Sequence, residues 1–161
     1  MIHTPYQQLV EMKRWADHGL YDVVGRHLDG LSEQSASIML RILDHIHAVD
    51  RIFQCHLQGV PHGFNAARSD TVPEFAALAD GMREVDDWYA GYVASLSADD
   101  LAQPVEFVFT SGKPACMRRG EIVLHVCQHG AYHRGNAGAL LLQNGITPSR
   151  DSITDFLEDT A

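Results

Sequence analysis

Residues 121–144 read EIVLHVCQHGAYHRGNAGALLLQN and contain three histidines spaced by four, His125, His129 and His133. Apolar residues recur through this stretch at helical spacing and no proline interrupts it, so the pattern predicts a long helix. Residues four apart lie on the same face of a helix, one turn above the other. We therefore expect His129 and His133 to direct their rings into one small volume, as two ligands of a single metal ion must.

A third ligand is expected from another part of the chain, because catalytic zinc-type sites usually have three protein ligands and one open position. The second predicted helix offers His45 and His47, which flank the centre of its apolar stripe at Ile46 on opposite sides. Periodicity alone does not choose between them. The His45 side carries more apolar residues, namely Ile38, Val49 and Ile52.

Composition limits the classes of protein to which this chain can belong. Its 161 residues predict one domain over residues 1–161, with 45% hydrophobic residues. Acidic residues outnumber basic ones by 21 to 12, and the net charge is −9. This charge argues against sequence-independent nucleic-acid binding and against an anionic membrane surface as a partner, since both require a basic surface.

The cysteines and the first residues bear on the cellular compartment. Cys55, Cys116 and Cys127 are odd in number and form no CxxC motif, which favours free thiols in a reducing compartment. The first fifteen residues lack the apolar core of a signal peptide, and no apolar run approaches the length of a membrane span. We expect a cytoplasmic protein.

The first two helices have recognisable ends. Thr4 and Pro5 predict the start of the first helix, which should run to about His27. Its exposed face is expected to carry the charged residues Glu11, Lys13, Arg14, Asp17 and Asp22. The second helix should begin after Ser32 or Ser37 and end near Gly59.

The rest of the chain predicts two further long helices and an extended region. A third helix should open at residues 72–74 and run to about Leu96, followed by a connection over 97–104. Residues 105–109 are β-prone, 111–114 have turn chemistry and 115–118 could return as a partner strand, which predicts a short hairpin or an extended loop. The histidine-bearing helix follows, and the tail after Gly145 predicts one short helix. Four amphipathic helices predict an all-α helix bundle.

Three stretches of this sequence resemble one known family. Residues 42–53, ILDHIHAVDRIF, resemble the second-helix motif of the DinB/YfiT-like family of bacterial metal-binding proteins. Residues 125–135, HVCQHGAYHRG, resemble its fourth-helix motif, which ends in His-Arg-Gly, and residues 12–21, MKRWADHGLY, resemble its first-helix pattern. The family often has glutamine after His-Arg-Gly. This chain has Asn136 there, so a side-chain amide is kept.

The resemblance implies a fold and a ligand set. It implies a four-helix bundle of the up-down-down-up type, often a homodimer. It also implies a divalent metal ion, zinc or nickel, bound by one histidine of the second helix and two of the fourth. Transferred to this sequence, those ligands are His45, His129 and His133.

Three neutral imidazoles leave the +2 charge of an ion uncompensated, so the ion can lower the pKa of a bound water to about 7 or bind a thiolate. The resemblance implies the same two chemistries on small molecules, since the family includes metal-dependent hydrolases and transferases that use a low-molecular-weight thiol. The alternatives are a non-catalytic metal-binding stress-response protein and a helical interaction protein whose histidines are structural.

The roles of several other residues are open at this stage. His125 is either a cap on the site or a core histidine, and His3, His18, His27 and His62 are expected at the surface. Cys127 lies about 160° from His129 around an ideal helix and is not expected to bind the metal. No glutamate follows the first histidine as in HExxH, so no general base is evident. By position, the candidates are Tyr132, Arg134 and Asp50, the last of which could also be a packing residue or one that orients a ligand.

Overall fold

The computed structural model describes residues 4–161, and the fold is mostly helical. His3 lies outside the described residues. The helices are α1 (Pro5–His27), α2 (Glu33–Gln58), α3 (Phe75–Ala94), α4 (Ala98–Ala102), α5 (Arg119–Gln143) and α6 (Ile153–Asp159), and the strands are β1 (Pro104–Val108) and β2 (Pro114–Arg118). The predicted long helices and the short final helix are all present, and the long ones end within a few residues of the predicted positions.

The ends of the first two helices follow from capping. The Thr4 side chain accepts a hydrogen bond from the Gln7 N–H, and Pro5 occupies the first turn of α1. Ser32, rather than Ser37, caps α2 by accepting from the Ser35 N–H. Gly59 ends α2 with a φ of 68°, in the left-handed region that glycine adopts without a steric penalty.

The predicted hairpin is present, whereas the connection before it contains a helix that was not predicted. Strands β1 and β2 pair antiparallel from Pro104↔Arg118 to Val108↔Pro114, and β2 runs directly into α5. The unpredicted helix is α4, in the stretch from Ser97 to Pro104. It forms because Ser97 and Asp100 make a reciprocal capping box, which satisfies the first amide groups of even a short helix.

The four long helices surround a common core. Helix α1 packs against α3 and α5, and α2 packs against the same two helices. Apolar side chains from all four are fully buried, among them Val24, Leu43, Val85, Tyr89 and Val126. Ile38 of α2 and Tyr132 of α5 lie outside this core, since Ile38 is 42% and Tyr132 is 69% exposed. Within residues 4–161, no helix combines the length and apolar composition that crossing a bilayer requires.

A group of charged residues is buried between the helices, and the expected exposed face of α1 is therefore wrong at Lys13 and Asp17. Lys13 is 2% exposed, and its ammonium lies 2.7 Å from Asp17, 2.7 Å from Asp50 and 2.6 Å from Asp86. Arg134 of α5 donates to Asp17 and, through two nitrogens, to Asp151. Helical spacing placed Lys13 on a polar face, but three helices bring carboxylates to that face and close it to solvent.

The titration behaviour of this group shows how closely its charges are balanced. Burial alone would lower the pKa of Lys13, but the charges of Asp17, Asp50 and Asp86 outweigh it and hold that pKa well above its ordinary value. Burial raises the pKa of Asp50 to about 6 and the pKa of Asp86 well above its usual range, against the opposing attraction of Lys13. The Lys13 ammonium therefore supplies the positive charge that stabilises these buried carboxylates.

We expect Lys13→Met to lower the free energy of unfolding by about 3–5 kcal/mol, because it leaves buried carboxylates without a counter-charge. Arg14→Met is the matched control on the neighbouring residue, whose ion pair with Asp87 is largely exposed, and it should cost less than about 1 kcal/mol. Urea denaturation followed by circular dichroism measures both. Equal losses in the two variants would contradict the assignment of Lys13 as a core residue.

Candidate metal centre

Helices α2 and α5 bring His45, His129 and His133 together. One ring nitrogen of each can be chosen so that all three lie within 4.8 Å of one another, and the group could hold a metal ion. The Nε2 atoms of His45 and His129 are 3.0 Å apart. The ring of His133 lies 4.5 Å from each of the other two rings, measured between centroids. All three residues are half-buried.

The orientation of His45 is set by the loop that follows α2. Its Nδ1 lies 2.6 Å from the carbonyl oxygen of Ala67, which can only accept a hydrogen bond, so the proton is on Nδ1 and the lone pair is on Nε2. The Ser69 N–H donates to Asp44 Oδ2 at 3.0 Å, which ties the same loop to α2. Such a contact to the second ring nitrogen fixes the direction in which a ligating histidine points.

Burial between the helices favours the uncharged form of the two α5 histidines, His129 and His133, in which a ring nitrogen can bind a metal ion. Burial, followed by the nearby His133 and His45, lowers the pKa of His129 to about 3, so that its ring is neutral near pH 7. Burial also lowers the pKa of His133, with a smaller contribution from His45. The Asn136 side-chain amide lies 3.4 Å from His133 Nδ1, where it can orient the ring.

This donor set fits a divalent first-row ion. Imidazole nitrogens bind zinc at about 2.0–2.1 Å, so two of them in a tetrahedral site lie about 3.3 Å apart. The 3.0 Å separation between His45 and His129 is close to that value. Neutral imidazoles suit zinc, copper, iron and nickel better than magnesium or calcium, which prefer oxygen.

His47, the other candidate on α2, points away from this group towards α3. A Cβ atom on Gly81 of α3 would lie 2.7 Å from His47 Nε2, so the His47 ring lies directly against Gly81 and would have to shift for a larger residue there. The structure thus brings His45, and not His47, to the histidines of α5. Of the three residues that favoured the His45 flank, Val49 and Ile52 are buried and Ile38 is 42% exposed.

The remaining histidines have varied surroundings. His125 is half-buried with its ring 4.7 Å from that of Phe53, and it is outside the three-histidine group. His27 is exposed, as expected. His18 and His62 are half-buried rather than exposed, and His62 packs against His56 at 5.2 Å.

Two of the three candidate general bases belong to the buried charged group. Asp50 contacts Lys13, and Arg134 contacts Asp17 and Asp151, so both stabilise packing between helices. Tyr132 lies near the site, with its ring 5.0 Å from that of His133. Asp17, Asp50 and Asp86 also have metal-like spacing, but the Lys13 ammonium lies among them.

The cysteines are free, and none belongs to the histidine group. Cys127 is buried, and burial raises the pKa of its thiol to about 12. It is therefore a protonated packing residue, in agreement with its predicted position away from His129.

Sequence reasoning missed Asp44 and the loop carbonyl of Ala67. Asp44 immediately precedes the candidate ligand His45 in the sequence. That position was a signal that its carboxylate could anchor another segment of the chain near the site, as it does for the loop at Ser69. The contact of the Ala67 carbonyl with His45 could not be predicted from the sequence. Every residue has a backbone carbonyl, and only the path of the loop brings this one to the His45 ring.

The fold and this histidine group define a helical protein with a candidate three-histidine metal centre. The family model described as "DinB family" matches residues 3–160, and the chain belongs to the DinB family. The structure resembles the crystal structure of a DinB-like protein from Bacillus cereus ATCC 10987, with a TM-score of 0.67 and 20% sequence identity over 90% of this chain and 94% of that one. None of the curated proteins compared with this chain matches it significantly.

We expect Asp44→Ala to weaken metal binding by about 10- to 100-fold, because it releases the loop whose carbonyl orients His45. Asp70→Ala is the matched control, since Asp70 lies on the same loop and its carboxylate, within residues 4–161, accepts a hydrogen bond from the Asn65 side chain rather than from the loop backbone. Competition titration with a chromogenic chelator gives both affinities. If the Asp44 and Asp70 variants bind the ion equally well, the loop does not position the ligand.

Proposed function

We propose that this chain is a single-domain metalloenzyme of the DinB family that binds zinc or nickel through His45, His129 and His133 and acts on a small molecule. The observation that carries the proposal is the convergence of three half-buried ring nitrogens within 4.8 Å. Polar contacts at the Nδ1 atoms of two of these histidines support it, since ligating histidines are usually oriented in this way: His45 Nδ1 donates to the Ala67 carbonyl, and the Asn136 amide lies 3.4 Å from His133 Nδ1.

The chemistry we propose is thiol-dependent transfer, with hydrolysis as the other reaction that the site would support. A divalent ion at three neutral imidazoles supplies a net positive charge that stabilises a thiolate or a hydroxide. The protein's own thiols do not belong to the site, and burial holds the pKa of Cys127 at about 12, so the nucleophile must come from a small molecule. The contribution of the chain is to hold His45, His129 and His133 in position and, by burial, to lower the pKa of His129 and His133 so that these two rings are neutral.

Metal analysis of alanine variants tests the ligand set. We expect His45→Ala, His129→Ala and His133→Ala each to lose most of the bound ion, because two imidazoles without a third ligand bind weakly. His47→Ala and His125→Ala are the controls on the same two helices, and they should keep about one ion per chain. Mass spectrometry of the purified proteins measures metal content. Retention of metal by all five variants would place the site elsewhere.

Cobalt substitution tests the thiol chemistry separately from metal binding. A thiolate bound to Co(II) gives a charge-transfer band, so titrating the cobalt form with a small thiol should produce a new absorption in the near ultraviolet. The His47→Ala variant should show the same band. A stoichiometric cobalt protein that shows no band with any thiol would leave hydrolysis, or metal binding without turnover, as the function.

We also propose that the long helices form an up-down-down-up bundle and that two chains form a homodimer in the cytoplasm. The pairing of α1 and α2 with both α3 and α5 supports the bundle, and free cysteines support a reducing compartment. The surface that supports the dimer is a mostly apolar groove between α1 and α5, lined by Leu9, Met12, Leu124, Cys127 and Ala131 together with Lys13, Gln128 and Arg134.

Light scattering tests the dimer. We expect a mass of twice the chain, and Leu124→Glu should give a monomer, because it places a charge in the groove between α1 and α5. Leu142→Glu is the control on the same helix, at a residue that is 62% exposed and lies outside this groove. A monomeric wild-type protein would rule out the dimer.

A further inference from the structure

A cavity of about 650 Å³ lies between α2 and the loop that follows it, and His45 forms part of its wall. This volume is within the range of small-molecule sites. The same histidine belongs to the three-histidine group. A molecule in the cavity would therefore contact His45, whereas His129 and His133 do not line the cavity, and it would reach the metal centre proposed above past the His45 ring.

Two arginines line this cavity, Arg41 from α2 and Arg68 from the loop. Both are exposed, and neither has a carboxylate within 4.0 Å in the part of the chain that the structure describes. This is notable because Asp44 and Asp70 line the same cavity. The guanidinium groups are thus available to a ligand although carboxylates are nearby.

The two carboxylates are directed to other partners. Asp44 is 1% exposed, and its Oδ2 accepts the Ser69 N–H. Asp70 accepts a hydrogen bond from the Asn65 side chain at 3.2 Å. With a divalent ion at the three histidines, the positive charges of the ion, Arg41 and Arg68 exceed these two negative ones. The cavity would then attract an anion.

The loop holds Arg68 between two anchored residues. The carbonyl of Ala67 contacts His45 Nδ1, and the N–H of Ser69 donates to Asp44 Oδ2. The backbone on both sides of Arg68 is therefore fixed to α2. A fixed backbone lowers the entropic cost of placing a side chain on a ligand, which is the benefit of preorganisation.

We infer that this cavity binds the carboxylate of a small-molecule ligand through Arg41 and Arg68 while the reacting end of that ligand lies at the metal. The inference rests on the proposed function for the position of the reacting end. Guanidinium groups pair with carboxylates through two parallel hydrogen bonds, which an alcohol of the same length cannot match. The ligand class is thus a carboxylate-bearing thiol or a carboxylate-bearing substrate.

Calorimetric titration of the zinc-loaded protein tests the inference, with mercapto-carboxylates and mercapto-alcohols of equal chain length as probes. We expect the carboxylates to bind about tenfold more tightly, as charge-assisted hydrogen bonds allow. Arg41→Gln and Arg68→Gln should each reduce carboxylate affinity several-fold and leave alcohol affinity unchanged. Arg26→Gln is the control. Arg26 is exposed on α1 and does not line the cavity, so this substitution changes the net charge by the same amount at a distant position.

Several results would overturn the inference. These are equal affinity for carboxylates and alcohols in the wild-type protein, no binding of either, a preference that survives the double arginine variant, or an equal loss in Arg26→Gln. The cobalt spectrum separates this outcome from failure of the proposed function. A thiolate band without an arginine-dependent preference contradicts the cavity alone, whereas the preference without a band contradicts thiol binding at the metal.

Discussion

The Lys13 ammonium is the contact on which the packing of the helices depends. It is almost fully buried and reaches Asp17 of α1, Asp50 of α2 and Asp86 of α3 within 2.7 Å. A buried charge is tolerable only when it is paired and hydrogen-bonded, so each of these helices must present its carboxylate at one point in space. Apolar packing alone would allow neighbouring registers, whereas a misplaced carboxylate would leave a charge unpaired.

Arg134 extends this constraint to α5 and the tail through Asp17 and Asp151. It directly follows His133, while Asp50 lies on the same helix as His45. The buried charged group therefore connects α2 and α5, the two helices that carry the histidines, through ion pairs to α1. The positions of the candidate metal ligands therefore depend on ion pairs between the helices. In the His-Arg-Gly sequence, a candidate ligand, His133, directly precedes a packing residue, Arg134.

The loop after α2 adds a second level of control. Its path is fixed by Asp44 and His45, which are consecutive in sequence and both contact its backbone. One contact sets the tautomer of a candidate ligand, and together they hold Arg68 at the cavity. Metal binding and ligand binding would therefore share one short segment of chain, so a change in the loop should affect both.

The sequence by itself predicted the long helices, the cap of the first helix and the common face of His129 and His133, because these depend on periodicity and on contacts between residues close in the chain. It left Ser32 and Ser37 open as the cap of α2, and a hairpin and an extended loop open before α5, and the structure decided both. The motif resemblance also identified the family, which the family comparison confirms. Periodicity left His45 and His47 open, because the two flank the apolar stripe symmetrically, and the motif resemblance named His45. The tertiary structure brings His45 to His129 and His133, whereas His47 lies against Gly81 of α3. Tertiary contacts also buried Lys13 and Asp17, which helical spacing had placed in solvent, since burial at a polar face depends on what other helices bring to it.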